Sequence, residues 1–194
     1  MSQDLNHYFR QSARLKNYDY SKSGAYFVTI TVDGEGKIFG KIVEGKINLN
    51  KFGQIIEQAW MNLPKQFANV KLDEFVVMPD HLHGVVVIKE SKSNKKSISN
   101  REGLMNQART YENKSANNAK NKWILMKNEK DTLGKIIRSF KAKAAKLIRE
   151  DGFKDFKWHR NYYDHIVRDD NELLIIRKYI INNPSKWEIK KSRI

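Results

Sequence analysis

The stretch Met78-Pro79-Asp80-His81-Leu82-His83-Gly84, which leads into the apolar run Val85-Val86-Val87-Ile88, decides how the fold is interpreted. It predicts a strand from 81 to 88 that Pro79-Asp80 separates from a preceding strand over 70–78. Because side chains alternate along a strand, His81 and His83 project from one face and Leu82 from the other. The two imidazoles either share a metal ion or are ordinary surface histidines on an edge strand.

A second informative segment, residues 169–183, predicts a helix. Asp169 or Asp170 is a suitable N-cap, and Pro184 ends the helical pattern. Tyr179 and Asn183 are four residues apart, so they lie on one face and one turn from each other. This pair is either ordinary packing or a nucleophile beside a third metal ligand.

Five segments carry a resemblance to a known family. They are YFVTIT at 26–31, VMPDHLHG at 77–84, LGKIIRSFK at 133–141, WHRNYYDHIVR at 158–168 and YIINNP at 179–184. His81-Leu82-His83 matches the histidine–hydrophobe–histidine motif of the HUH nucleases. In order and spacing, the five segments resemble the REP-associated tyrosine transposases and their single-tyrosine relatives, over most of residues 20–187.

The resemblance implies a function and a set of site residues. Its members are endonucleases and strand transferases that cleave single-stranded DNA at or near hairpins, through a covalent 5′-phosphotyrosine. Tyr179 matches the nucleophile, and His81, His83 and Asn183 match the ligands of a divalent metal, Mg²⁺ or Mn²⁺. The chain departs from the insertion-sequence members at Asn183, where those members have glutamine. The asparagine fits the REP-associated branch better.

Tyr163 is the second candidate for the nucleophile. Tyr162 and Tyr163 lie beside His159 and His165, but on a strand-like segment where alternation buries one ring and exposes the other. Tyr179 matches the catalytic position and has Asn183 one turn further on. We therefore assign the nucleophile to Tyr179. We interpret His159 and His165 as surface or DNA-facing residues.

The composition indicates an anionic partner. Lys and Arg number 37 against 22 Asp and Glu, a formal net charge of +15 at pH 7, which favours nucleic acid. The sequence has no run that could span a membrane and no signal-peptide core. The absence of cysteine excludes disulfides and thiolate metal sites. We expect a cytoplasmic, nucleoid-associated protein.

The order of predicted elements indicates the fold class. Strand, helix, strand, strand, helix, strand and helix follow each other, which is typical of an α+β protein with an antiparallel sheet, and the resemblance implies a ferredoxin-like sheet with helices packed on it. We expect a polar basic arm at 1–24, one transposase-like domain at 25–187 and a basic tail at 188–194. Residues 91–130, rich in Lys, Asn and Ser, are expected to be an insertion.

Cationic side chains are the candidates for DNA contacts. A predicted amphipathic helix that begins at Asp131 or Thr132 carries basic residues on its outer face, which indicates either phosphate contacts or a solubilising surface. The predicted DNA-binding residues are Lys135, Arg138, Lys141, Lys143, Lys146, Arg149, Arg160, Arg168 and Lys186.

Two other classes of function compete with the transferase. A nucleic-acid-binding module without catalysis could use the same fold and basic helices. A metal-dependent hydrolase with a water nucleophile would need a carboxylate near the histidines, and alternation places Asp80 on the opposite face if the strand already runs at that residue. The resembled family contains monomers and homodimers, and the sequence does not distinguish them.

Overall fold

The computed structural model of the protein describes residues 18–34, 36–90 and 131–191, with side chains up to residue 187. Most of the predicted basic arm, the insertion at 91–130 and the side chains of the basic tail lie outside the described residues. The strands are β1 (Gly24–Thr31), β2 (Gly40–Val43), β3 (Lys46–Leu49), β4 (Val70–Val77), β5 (His81–Ile88) and β6 (Tyr163–Val167). The helices are α1 (Lys51–Met61), α2 (Leu63–Gln66), α3 (Leu133–Glu150), α4 (Asp170–Ile181) and α5 (Asn183–Lys191).

The main sheet is antiparallel and has the strand order β4–β5–β1–β6. Helix α1 lies between β1 and β4 in the chain, and α3 between β5 and β6, which gives the β-α-β-β-α-β connection of ferredoxin-like folds. The predicted fold class, an antiparallel α+β sheet with packed helices, is confirmed. Strands β2 and β3 form a separate hairpin whose turn residues, Glu44 and Gly45, both have positive φ, as two-residue hairpin turns require.

One face of the sheet, here called the core face, carries the apolar residues of β1 and β5 that point toward α1 and α3. Alternation puts Tyr26, Val28 and Ile30 of β1 on this face, and all three are fully buried. The helices contribute apolar stripes at helical spacing. Their buried members in this cluster include Ile56, Trp60, Leu133, Ile136, Ile137, Phe140, Ala144 and Ile148.

The opposite face, here called the site face, carries the other half of the alternating side chains. Phe27 and Val85 form a small cluster there with Ile176 and Ile180 of α4. His81 and His83 share this face, because they pair with Thr31 and Thr29 in the β1–β5 register. The site face is therefore covered by α4 only in part, and the histidines lie at the margin of that helix.

The predicted 169–183 helix is interrupted. Asp169 caps α4 by accepting from the Glu172 amide, as predicted, but the helix ends at Ile181 and a new helix begins at Asn183. Pro184 explains the interruption, since its ring clashes with the carbonyl four residues earlier and it has no amide hydrogen to donate. In the first turn of α5 a proline is tolerated. The chain therefore continues as a helix where the sequence predicts a tail after residue 187.

Gly84, which directly follows the two histidines, has a steric role. A Cβ at this position would meet Trp60 Cζ2 at 2.6 Å and Phe75 Cβ at 3.2 Å. Gly84→Ala is therefore expected to lower the free energy of unfolding by about 1–3 kcal/mol, the usual cost of overpacking a core. Urea denaturation measures this. Gly36→Ala is the matched control, because its Cβ would make only ordinary contacts with Ile38, and an equal loss in both variants would contradict the steric explanation.

Candidate active site on the uncovered face of the sheet

His81 and His83 form a side-by-side pair at the start of β5. Their Nε2 atoms are 2.9 Å apart, and the ring centroids are separated by 4.4 Å. His83 is buried, with 6% of its surface exposed, and the side chain of His81 is 12% exposed. The pair is thus largely removed from bulk water, and its two Nε2 atoms lie within hydrogen-bond distance of each other.

The other ring nitrogens of the pair are held by neighbours. Asp80 contacts His81 through Nδ1, and Thr29 Oγ1 lies 2.8 Å from His83 Nδ1. Partners of this kind fix the orientation of metal-binding imidazoles and leave the second nitrogen for the ion. Burial, followed by the charge of a protonated His81, holds the pKa of His83 well below its usual value, so the ring is in the neutral form that binds metals.

The expectation that Asp80 points away from the histidines depended on the strand already running at that residue, and it does not run there. Strand β5 begins at His81, so Asp80 belongs to the preceding turn, where side chains do not alternate. The carboxylate bends back onto the first histidine. Thr29 was also missed as a site residue, although it lies in the YFVTIT segment, because sequence does not show which strand pairs with β5.

Tyr179 reaches the pair from α4. Its hydroxyl is 3.4 Å from His83 Nε2, and its ring packs edge-on against Phe27. Burial raises the pKa of Tyr179 above its ordinary value, and a hydrogen bond with Asn183 opposes that effect. The phenol is therefore protonated at neutral pH, and its ionisation requires a nearby cation or base.

Asn183 completes the set of predicted residues. Its side chain is buried, with 8% of the residue exposed, and it hydrogen-bonds Tyr179. The interruption between α4 and α5 places it at the start of the second helix rather than one turn further along the first. The structure thus joins Tyr179 to His83 on one side and to Asn183 on the other.

The donor set fits a divalent cation. Two imidazole nitrogens each about 2.1 Å from one ion, at an angle near 90°, would be about 3 Å apart, and the Nε2 atoms are 2.9 Å apart. Among the described residues, no three His, Asp or Glu side chains converge on a common point, so within this part of the chain a third ligand would be of another type. The Asn183 amide is the candidate that the site offers.

Trp187 is a neighbour of the site that the sequence did not indicate. Its ring centroid lies 5.5 Å from that of His81. Helix α5 carries Trp187 toward the site, since Asn183 and Trp187 are four residues apart and share a helix face. Ser185 anchors this helix by donating to the Gly45 carbonyl in the β2–β3 turn at 3.3 Å. The indole therefore closes one side of the histidine pair.

Polar contacts hold α4 against the sheet. Arg177 makes a two-pronged ion pair with Asp73 of β4, each contact 2.6 Å long, and this pair lowers the pKa of Asp73. At the other end, Glu172 accepts from the Arg168 amide and lies 2.8 Å from His165 Nε2. His165 thus has a structural partner, and these contacts fix the position of the Tyr179 ring.

Tyr163 also faces this side of the sheet, but it stands one strand further away. It pairs with Thr29 across the β1–β6 register and packs edge-on against Phe27. Burial, together with the charges of Asp164 and Glu172, raises its pKa. Tyr179 is the tyrosine whose hydroxyl lies 3.4 Å from His83 Nε2.

The predicted cations of α3 lie on the far side of the sheet from the histidines, because α3 packs on the core face. Four of them also have partners within the protein. Lys135 binds Asp131, Lys141 binds the carbonyls of residues 159–161, Arg149 binds the Phe156 carbonyl, and Lys146 lies 3.7 Å from Glu150. A DNA strand bound at the site would reach Arg138, Lys143 or Lys146 only by passing around the sheet.

Two of the remaining predicted cations are closer to the site. Arg160 lies in the loop before β6 and lines a pocket with Thr29 and Thr31. Lys186 is exposed and adjacent in the chain to Trp187. Arg168 instead follows the end of β6 that pairs with Ala25, at the opposite end of the sheet from the histidines.

Comparison with known proteins places the chain in a family. No protein-family model matches the sequence. A Haemophilus influenzae protein described as uncharacterized is 37% identical over 179 residues, which cover 92% of this chain and 90% of that protein. The chain belongs to the family of that protein.

A solved structure relates this family to a known fold. The structure of a REP-associated tyrosine transposase bound to a REP hairpin matches with a TM-score of 0.55 and 15% sequence identity. The match covers 90% of this chain and 73% of the transposase chain. A match at this low identity shows a shared fold, which agrees with the ferredoxin-like sheet described above.

In the described part of the chain, every helix is too short or too polar to cross a bilayer.

Proposed function

We propose that this protein is a metal-dependent, single-stranded DNA endonuclease and strand transferase with Tyr179 as its nucleophile. One observation carries the proposal. The Tyr179 hydroxyl is 3.4 Å from His83 Nε2, which is itself 2.9 Å from His81 Nε2. A phenol hydroxyl and two imidazole nitrogens of a type suited to metal ions thus lie together in one water-poor site.

His81, His83 and Asn183 would hold the metal. Two imidazoles and an amide oxygen leave positions for water and phosphate oxygens, a combination that suits Mn²⁺ or Mg²⁺. When bound, such an ion supplies a Lewis acid for the phosphodiester and favours loss of the phenol proton. Asp80 and Thr29 would keep the imidazoles oriented, and Trp187 would exclude water from the side of His81.

The chain's own part in the reaction is nucleophilic. Tyr179 Oη loses its proton to solvent and attacks phosphorus, the bond from phosphorus to the 3′ oxygen breaks, and that oxygen takes up a proton. The products are a 5′-phosphotyrosine and a free 3′-hydroxyl. Attack on the phosphotyrosine by another 3′-hydroxyl reverses the step and joins strands without an external energy source.

Single-stranded DNA with hairpin elements is the proposed substrate. One tyrosine and one metal site act on one strand at a time. The solved relative in fold was determined bound to a REP hairpin, and the formal charge of +15 favours a polyanion. Arg160 and Lys186 are the cations best placed for its phosphates. We assign the activity to the cytoplasm, at the nucleoid.

A covalent-adduct assay tests the proposal. Single-stranded hairpin DNAs taken from the flanks of the gene, labelled at the 3′ end, are incubated with the protein and Mn²⁺ or Mg²⁺ and separated on a denaturing protein gel. The expected result is a labelled protein band that requires the metal, because the 5′-phosphotyrosine retains the 3′ fragment. Cleavage to a free 5′-phosphate would identify a hydrolase instead, and tight binding with no cleavage would identify a binding module.

The contact between Asp80 and His81 gives a quantitative prediction. Asp80→Asn removes the charge that holds the imidazole, so we expect Mn²⁺ affinity to fall about 10–100-fold, as is usual for partners of metal-bound histidines. Isothermal titration calorimetry measures it. Asp33→Asn is the control, because Asp33 is exposed and its backbone rather than its carboxylate contacts Lys157. Unchanged affinity in Asp80→Asn would show that His81 does not bind the metal.

A further inference from the structure

We propose that the pocket between the end of β1 and residues 159–163 binds an unpaired nucleotide next to the phosphodiester that Tyr179 attacks. This inference rests on the proposed function and assigns a subsite to it. The pocket has a volume of about 630 Å³, within the range of sites that enclose small ligands. Its lining includes Thr29, Thr31, Arg160, Asn161 and Tyr163.

The pocket is continuous with the catalytic site. Thr29 is the shared wall, since its hydroxyl lies 2.8 Å from His83 Nδ1 while its backbone pairs with Tyr163 on the other side. Thr31 pairs with His81. Directly paired residues have Cβ atoms about 5 Å apart, so the pocket begins one side chain away from the histidines. A strand whose phosphate lies at the histidines would put a flanking nucleotide there.

The loop that forms the pocket is fixed before any ligand arrives. The His159 amide donates to the Thr31 carbonyl at 2.9 Å, and the Trp158 indole donates to the Lys141 carbonyl at 3.1 Å. Lys141 Nζ in turn donates to the carbonyls of His159 and Asn161, at 2.8 and 3.0 Å. A half-buried ammonium thus fixes the backbone, while the side chains of Arg160 and Asn161 remain exposed. Such preorganisation reduces the entropic cost of binding.

The chemistry of the lining fits a nucleotide. A tyrosine ring provides a stacking surface, a guanidinium provides a partner for phosphate, and hydroxyl and amide groups provide hydrogen bonds to base edges. None of the described lining residues is acidic, so a phosphodiester meets no repulsion there. Lys141, predicted from the sequence as a DNA contact, acts in this arrangement as the support of the loop rather than as a ligand of phosphate.

Binding measurements in a Tyr179→Phe background test the pocket without DNA cleavage, because this variant lacks the proposed nucleophile. The probes are fluorescein-labelled eight-nucleotide homopolymers of each deoxynucleotide, followed by anisotropy. Arg160→Ala is expected to weaken binding of all four about tenfold, and Asn161→Ala to weaken binding of one base about tenfold more than the others. Lys154→Ala is the control, because it removes the same charge from an exposed site outside the pocket and is expected to cost about twofold at most.

The outcomes separate this inference from the proposed function. Equal losses in Arg160→Ala and Lys154→Ala, with no base dependence in Asn161→Ala, would overturn the pocket whether or not the wild type forms an adduct. The expected losses without any adduct in the wild type would support the pocket and count against the transferase. Amide chemical shifts provide the second measurement. They must move at residues 29–31 and 159–163 when DNA is added, and the absence of such shifts would overturn the assignment even if affinities change.

Discussion

A protein in which Tyr179 is replaced by phenylalanine is expected to form no covalent DNA adduct and to cleave no hairpin DNA with either Mg²⁺ or Mn²⁺. The substitution removes one oxygen atom, the one 3.4 Å from His83 Nε2, and keeps the ring that packs against Phe27. Cleavage should fall by at least about 10⁴-fold, the scale on which loss of a nucleophile acts. The denaturing-gel assay with 3′-labelled DNA measures both products.

Two companion variants make that result specific. Tyr20→Phe removes a hydroxyl from a tyrosine that packs beside the core face and should leave the adduct unchanged. Tyr163→Phe removes the hydroxyl of the second candidate for the nucleophile. This variant should still form the covalent adduct, even if the rate of adduct formation changes. DNA binding by Tyr179→Phe, measured by anisotropy, should remain within about tenfold of wild type, since a phenol hydroxyl makes at most one hydrogen bond to the strand. Persistent adduct in Tyr179→Phe would show that another residue is the nucleophile.

Local pattern was sufficient to predict the elements that carry the site. Alternation in β1 and β5 predicts that His81 and His83 share a face, and the register confirms it. The Asp169 cap and the apolar stripe likewise predicted α4. Pro184 was taken as the residue that ends that helix, but the helix ends at Ile181 and Pro184 lies in the first turn of the next helix, where a proline is favourable. Sequence alone gave no reason to expect that the chain would restart as α5 and bring Trp187 onto His81.

The sequence does not show on which face of the sheet each helix packs. The spacing of apolar residues in α3 shows that Lys141 and Arg149 lie off its buried stripe, but periodicity does not show which face of the sheet the stripe covers. The structure puts that helix on the core face, away from the histidines. For Asp80 the deciding fact is local, because β5 begins one residue later and strand alternation does not apply to the turn that precedes it.

Replacement of either histidine by alanine is expected to abolish metal-dependent cleavage while DNA binding is retained. Each variant removes one of the two Nε2 atoms that lie 2.9 Å apart. Since loss of a supporting partner such as Asp80 costs about 10–100-fold in metal affinity, loss of a ligand itself should cost more. Calorimetric titration with Mn²⁺ measures the affinity, and His165→Ala, which removes a histidine bonded to Glu172 instead, should leave it unchanged.

The two histidines differ in burial, which makes the comparison between them informative. His83 contacts Thr29, Tyr179 and Phe27, so His83→Ala leaves a cavity and unpaired polar groups and should also lower the melting temperature. His81 is nearer the surface, where it meets Asp80 and Trp187, and its removal should cost less stability. If the site binds a metal, both variants lose Mn²⁺ affinity and cleavage together despite their unequal stability. Loss of cleavage that follows melting temperature instead, with Mn²⁺ affinity intact in His81→Ala, would mean that the pair is a structural element of the sheet and that the phenol is activated in another way.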